Sequence, residues 1–162
     1  MSDFASISLN VPLKSSRDAM WISVIATICA GLFAGAAIYV NAVEHPPRLS
    51  CGTELALREF GQSYHRATVM QALLAVAGCV MGLWSAWAHG DGWLAVGAIL
   101  LGAAVPFTLV VILPINHKLL DPALDPQSEA TRLLVRWGHL HAVRSALSSA
   151  SFLLFLLRLA SG

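Results

Sequence analysis

Four long apolar segments, none of which contains Asp, Glu or Lys, constrain the fold of this chain more than any other feature. They cover residues 19–43, 67–88, 93–116 and 138–157. A helix rises about 1.5 Å per residue, so about 20 residues cross a hydrocarbon core of about 30 Å. Helices satisfy their own backbone groups in lipid, and the short alternating strands of a membrane barrel are missing from the sequence. We therefore predict an all-α fold, a transmembrane four-helix bundle.

Composition supports a membrane protein and argues against several soluble classes. Hydrophobic residues make up 57% of the 162 residues and charged residues only 12%, too few to cover a soluble domain of this size. The net charge of +1 offers no basic surface for nucleic acid. The three cysteines lack the spacing of a zinc ribbon or a disulfide framework. We predict that the protein lies in a lipid bilayer and does not bind nucleic acid.

The connections between the predicted helices are unequal in length. We predict a polar tail over residues 1–18, long polar loops over 44–66 and 117–137, a tight turn over 89–92, and a C-terminal end over 158–162. The tight turn makes the second and third helices antiparallel neighbours. Both long loops fall on one side of the membrane and carry more Lys and Arg than the other side, which places both termini outside. We expect a bacterial inner membrane.

Small residues indicate how the helices pack. Gly31 with Gly35, and Gly78 with Gly82, each share one helix face at four-residue spacing. Such pairs let helix backbones approach closely in lipid, and they make a homodimer possible. The first apolar segment exceeds the apolar region of a signal peptide, about 7 to 15 residues, so we expect it to remain as a helix.

Arg144 is the most informative single residue because it lies inside the last apolar segment, about 10 Å deep at the rise of a helix. A charge at that depth costs about 2.5–3.5 kcal/mol unless it is paired or faces a wet cavity. Trp137 and His141 share its helix face, whereas His139 points about 160° away from His141. These positions favour an inward polar face. The alternative is that Arg144 reaches the interface alone.

Every predicted helix delivers polar side chains to the same mouth of the bundle. Imidazole, guanidinium, phenol and amide groups inside an apolar wall suit a small hydrophobic aromatic or quinol-like substrate that is weakly acidic. The alternative is an interfacial belt that only anchors the bundle, which we prefer for His65, Arg58 and Arg132. The candidate site residues are His45, Arg48, Tyr64, Arg66, Asn116, Trp137, His141 and Arg144.

The motifs that contain these residues resemble the anthrone oxygenase-like family of small four-helix membrane proteins. The similar stretches are residues 31–40, 44–48, 106–116 and 136–144, together with Tyr64 and Arg66 ahead of Gln71. The resemblance extends over residues 20–157, and His139 falls at a variable position of the family pattern. The positions of the family pattern that this sequence matches are His45, Asn116, Trp137, His141 and Arg144.

The resemblance implies oxidation of a polyketide anthrone to an anthraquinone, a reaction that can run without a cofactor. A base would remove the acidic benzylic proton, and the carbanion would donate an electron to oxygen. His45 or His141 would be the base. The groups that hold the oxyanion would be Arg48, Arg66 and Arg144.

Two further hypotheses remain open at this point. A weaker resemblance is to membrane haem or copper proteins of the copper-resistance D type and to membrane protoporphyrinogen oxidases. It would make His45 and His141 metal ligands, so the cofactor could be none, haem b or copper. The third hypothesis is a non-enzymatic structural or partner-binding bundle.

Overall fold

In a computed structural model, residues 16–125 and 128–161 can be described, and nearly all of them are helical. The elements are α1 (Ser16–Tyr39), a first π-helical segment (Val40–Glu44), α2 (His45–Ser50), α3 (Thr53–His89), α4 (Gly92–Phe107), a second π-helical segment (Thr108–Ile112), α5 (Leu113–Leu119) and α6 (Glu129–Ser161). The first fifteen residues of the predicted polar tail, and Gly162 at the predicted C-terminal end, lie outside the described residues.

These elements join into four spans that are long and apolar enough to cross a membrane, and we number them in chain order. Spans 1 to 4 are Asp18–Ser50, Thr53–His89, Gly92–Leu119 and Glu129–Ser161. The predicted all-α fold with four transmembrane helices is confirmed. A short turn joins spans 2 and 3, where Gly90 adopts a left-handed conformation with φ of 64° that ends the helix.

The prediction of long polar loops over residues 44–66 and 117–137 is wrong. Residues His45–Ser50 form a helix, span 2 begins at Thr53, and span 4 begins at Glu129. Hydropathy detects only the part of a helix that contacts lipid, and polar turns that continue a helix beyond the membrane give no apolar signal. Most of the polar side chains of these regions are therefore held on helices.

The spans pack in chain order around the bundle, and span 1 closes the ring by packing on span 4. A Cβ on Gly78 would lie 2.5 Å from Leu101, and one on Gly82 would lie 2.6 Å from Phe155, so this pair of glycines does permit close packing. Gly35 has no neighbouring atom within 4 Å of its Cβ position. The homodimer stays a prediction.

The two π-helical segments lie in diagonally opposite spans, and both occur near the end where spans 1 and 3 finish. Each is followed two residues later by a proline, Pro46 or Pro114. A π turn inserts an extra residue into the helix and is frequently found at functional sites. At the start of the second segment, the hydroxyl of Thr108 donates to the Ala104 carbonyl at 2.7 Å, near Pro106.

Candidate functional site

A cavity of about 130 Å³ lies inside the bundle between the two π-helical segments and span 2. Apolar clusters lie at both of its ends: one contains Phe33 and Phe155, and the other, on the side of the connections 51–52 and 120–128, contains Phe60 and Ile112. Most of the cavity wall is apolar. Six of the eight predicted site residues line it, namely Arg48, Tyr64, Asn116, Trp137, His141 and Arg144.

The other two predicted site residues, His45 and Arg66, do not line the cavity. His45 lies in a groove between spans 1 and 4, and its ring packs against that of Trp137 with the centroids 5.3 Å apart. Arg66 is exposed and lines a shallow surface groove with Arg58. Residues two apart on a helix point about 200° from each other, so Arg66 faces outward where Tyr64 faces inward.

His141 is 2% exposed, and its hydrogen bonds determine which ring nitrogen is free. Asn41 donates its amide nitrogen to the Gly138 carbonyl at 3.0 Å, so its Oδ1 is the acceptor. That oxygen lies 2.8 Å from His141 Nδ1 and also accepts from the Ser145 hydroxyl at 2.7 Å. His141 therefore carries its proton on Nδ1, and Nε2 presents a lone pair with no hydrogen bond to any described residue. The ring lines the cavity, where Nε2 can accept a proton.

Arg144 lines the same cavity without a counter-ion. Its Nη2 donates to Gln71 Oε1, and its guanidinium lies 5.3 Å from the ring centroid of Phe33. Its buried Nε has no hydrogen-bond partner, and no carboxylate of the described residues pairs with it. An unpaired cation within a membrane span is costly. The cavity therefore carries a positive charge that favours a bound anion.

Arg48 is also buried, but its charge is neutralised. It forms ion pairs with Glu44 and with Glu59, which reaches it from span 2. Its guanidinium lies 5.8 Å from the ring centroids of both Phe60 and Trp137. This group covers the end of the cavity nearest the connection between spans 1 and 2. Arg144 is thus better placed than Arg48 to hold an anion.

Trp137 and Asn116 form the part of the cavity wall next to His141. The indole nitrogen of Trp137 donates to Asn116 Oδ1 at 2.8 Å. The indole also stacks on the imidazole of His141, with centroids 4.7 Å apart and planes 28° apart. On the facing side, the Tyr64 hydroxyl makes no hydrogen bond to the described part of the chain and lies close enough to Arg144 to interact electrostatically. It is available to a ligand.

The hypothesis that His45 and His141 share a haem or copper has no geometric support. His45 lies outside the cavity that His141 lines, and Trp137 contacts both rings, so the two imidazoles do not converge on a common open position. The Leu134 backbone lies near the His45 ring, but neither ring nitrogen makes a hydrogen bond of normal geometry. Within residues 16–125 and 128–161, no three His, Cys, Asp or Glu side chains are placed to hold a metal ion.

Several partners of the site residues were not among the predicted site residues, including Asn41, Glu59, Gln71 and Ser145. Asn41 and Gln71 carried a usable signal, because a polar amide inside an apolar segment needs a partner. Glu59 carried none, because its helical turn was predicted as a loop. The role of Ser145 depends on the contact between spans 1 and 4, which the sequence does not display.

Gly138 is required for the packing of His45 against span 4. A Cβ at this position would lie 2.6 Å from His45 Cδ2 and closer still to Nε2. We expect Gly138→Ala to reduce the free energy of unfolding by about 1–3 kcal/mol, measured by thermal unfolding in detergent, because the His45 ring must shift from its packing against Trp137 to make room for the methyl group. The matched control is Gly35→Ala, which meets no atom within 4 Å and should be neutral or slightly stabilising. Equal unfolding midpoints for the two variants would contradict this packing.

The fold and the cavity together define a class of protein. Four membrane-spanning helices enclose an apolar chamber that presents one free imidazole nitrogen and one unpaired guanidinium. The chemistry of such a chamber, in a protein with four membrane-spanning helices, suits a small hydrophobic molecule that can form an anion.

Comparison with known proteins identifies the family within that class. The family model for anthrone oxygenase matches residues 60–154. Anthrone oxygenase tpcL of Aspergillus fumigatus is 32% identical over 131 residues, which cover 74% of this chain and 81% of the relative. An anthrone oxygenase of Claviceps purpurea is 27% identical over 155 residues, 85% of this chain and 88% of the relative. The chain belongs to the anthrone oxygenase family, which confirms the resemblance seen in the motifs.

A third relative, anthrone oxygenase ptaC of Pestalotiopsis fici, is 29% identical over 103 residues, 54% of this chain and 73% of the relative. No solved structure matches the chain. Family membership supports an oxygenase-like function and does not favour the haem, copper or non-enzymatic alternatives. The four spans indicate a membrane protein. The relatives are fungal, so they give no support for the expected bacterial inner membrane.

Proposed function

We propose that this protein is a membrane oxygenase that uses molecular oxygen to convert a small anthrone-type aromatic into a quinone inside the cavity. One observation carries the proposal: the unpaired Arg144 and the free Nε2 of His141 line the same apolar chamber. A base and a cation in one cavity are what the formation of a carbanion requires.

The first step is proton transfer. His141 Nε2 removes the acidic benzylic proton of the anthrone, and the negative charge delocalises onto the oxygen of the anthrone's ketone group. Arg144 stabilises that oxyanion, with the Tyr64 hydroxyl available as a second donor. Asn41 accepts a hydrogen bond from Nδ1 and holds the ring in position while it becomes an imidazolium.

The second step consumes oxygen and balances without an external reductant. The carbanion transfers one electron to molecular oxygen, and the resulting radical pair forms a carbon–oxygen bond to give a peroxide anion at the benzylic carbon. This anion takes the first proton back from His141 and becomes a hydroperoxide. His141 then removes the second benzylic proton, which breaks the oxygen–oxygen bond, forms the carbonyl and releases hydroxide. The hydroxide takes that proton from His141 and leaves as water. One anthrone and one oxygen molecule thus give one quinone and one water.

The experiment that tests this proposal follows quinone formation and oxygen uptake together, with detergent-purified protein and an added anthrone. The proposal expects quinone to form faster than by spontaneous autoxidation, with equal amounts of oxygen consumed. The same sample is analysed for iron and copper and for its visible spectrum. A haem absorption band or stoichiometric copper would move the chemistry to a metal, and a rate equal to autoxidation would overturn the proposal.

A further inference from the structure

We propose that the substrate reaches the cavity sideways from the lipid, through a gap between spans 2 and 3 that is bounded by Thr68, Ala72 and Leu109. We call this gap the lateral portal. The inference rests on the proposed function, because the molecule that passes is the hydrophobic aromatic substrate. It concerns how the substrate arrives, which the proposed reaction leaves open.

Both ends of the cavity are closed along the bundle axis. Toward the connection between spans 1 and 2, Arg48 with its two carboxylates and the apolar cluster around Phe60 and Trp137 fill the space. Toward the other end, the cluster that contains Phe33 and Phe155 is buried, with each side chain 1% exposed. A planar aromatic molecule therefore has no open route along the bundle axis. The remaining route into the cavity is between two spans.

The wall between spans 2 and 3 is closed at two levels, tightly at one and by ordinary contact at the other. Toward the turn that joins the spans, a Cβ on Gly102 would lie 2.7 Å from Cys79 Sγ. At the opposite end, a Cβ on Gly61 would lie 3.5 Å from Leu120. Gly102 allows the two spans to approach closely at the first level, and at the second level the chain segments are in ordinary van der Waals contact.

Between those two levels the spans separate. Span 2 packs along Gly92–Phe107 and touches Leu113–Leu119 again, but it makes little or no contact with the π-helical segment Thr108–Ile112 that lies between them. Thr68 and Ala72 lie on the same face of span 2 as Gly61 and Cys79, by spacings of seven and four residues. The gap is thus in the wall that faces span 3.

The residues at the gap belong to the cavity wall and to the outer surface at once. Thr68, Ala72 and Leu109 all line the cavity, and all three are exposed, Leu109 by 56%. Side chains with both properties mark an opening. Thr68 and Ala72 also fall in the first two turns of the apolar segment 67–88, so the opening faces hydrocarbon close to the interface.

The portal suits the chemistry of the substrate. An anthrone-type molecule is flat and apolar while neutral, so it concentrates in the bilayer and can pass between the small side chains of Thr68 and Ala72. It becomes charged only inside, where His141 and Arg144 lie. A charged or strongly polar molecule would have to leave water for hydrocarbon to use the same route.

The test measures how fast a coloured probe, a dihydroxyanthraquinone dissolved in phosphatidylcholine vesicles, binds to the reconstituted protein. Ala72→Trp should slow both association and dissociation by about tenfold or more while the dissociation constant changes far less, because a narrowed passage hinders both directions equally. Ala77→Trp, on an exposed position of span 2 that does not line the cavity, is the matched control and should leave both rates unchanged. Leu109→Ala should speed both rates and does not depend on tolerance of a bulky residue.

The outcomes separate the portal from the reaction. Binding and turnover by the parent protein with rates unaltered in Ala72→Trp and Leu109→Ala would overturn the portal and leave the proposed function standing. A parent protein that neither binds the probe nor oxidises an anthrone would overturn the proposed function, and the portal with it. Opposite rate changes in the two variants, with Ala77→Trp unchanged, would support the portal.

Discussion

Arg144→Gln is expected to lower the rate constant for quinone formation by about 100- to 1,000-fold, the usual effect of removing one donor that stabilises an oxyanion. Glutamine keeps an amide that can satisfy Gln71, but it has no charge to hold the carbanion's oxygen. The same variant should unfold at an unchanged or higher temperature, because an unpaired cation inside a membrane span costs about 2.5–3.5 kcal/mol to insert. A lower rate constant with an unchanged unfolding temperature would show that the charge of Arg144 serves the bound ligand and not the fold.

Two variants control this experiment. Arg58→Gln also removes an arginine, but its side chain is 76% exposed and paired with Glu54. This variant should leave the rate constant unchanged. Arg144→Lys keeps a charge and should retain part of the activity, although lysine lacks the planar fork of donors. A marked loss of thermal stability in Arg144→Gln would mean that Arg144 has a structural role. An unaltered rate would mean that its charge does not stabilise the oxyanion.

His141→Asn is expected to lower the same rate constant by about 100- to 10,000-fold, the range that a positioned general base contributes. Asparagine is chosen because its amide nitrogen stands near the place of Nδ1 and can still donate to Asn41. The variant therefore loses the basic Nε2 while it keeps the hydrogen bond that ties span 4 to span 1. Binding of a dihydroxyanthraquinone should change far less than turnover.

His139→Asn is the matched control, since His139 lies two residues away, is exposed, and lines the groove outside the cavity. It should turn over at the parent rate. If His139→Asn and His141→Asn lost activity equally, the assignment of the base would be wrong. If His45→Asn alone abolished activity, the base would lie in the groove behind Trp137 instead.

The sequence predicted the four spans because a membrane imposes a length on each apolar run, and four such runs are visible without any knowledge of contacts. It also predicted that Trp137, His141 and Arg144 share a face, because that relation lies within one helix. The structure shows all three in the cavity wall. Relations inside one element can be computed from helical periodicity alone.

Relations between elements could not be predicted in the same way. His45 and His141 were equally good candidates for the base, and only the packing of spans 1 and 4 separates them, by placing His45 behind Trp137. Arg48 was predicted to hold an anion, yet Glu59 pairs with it from the next span. The helical turn that carries Glu59 lies outside the apolar segments, so its position depended on a helix extension that hydropathy does not detect.

The π-helical segments were also invisible in the sequence. They change the number of residues per helical turn beside the cavity, and no particular amino-acid composition marks them in the sequence. Pro46 and Pro114 follow them, but a proline is equally compatible with a helix end or a kink. Both segments contribute residues to the cavity wall, and Leu109 of the second segment also lies at the gap beside span 2.

We propose that the cavity ionises the substrate before oxygen reacts, and this order can be measured by anaerobic mixing. Purified protein and an anthrone are combined without oxygen, and the visible spectrum is recorded before and after oxygen is admitted. We expect the absorption of the anthrone anion to appear with the parent protein and to be replaced by that of the quinone when oxygen enters. We expect no anion absorption with Arg144→Gln or His141→Asn. Anthrone that stays neutral on the parent protein, or quinone that forms without oxygen, would contradict this proposal.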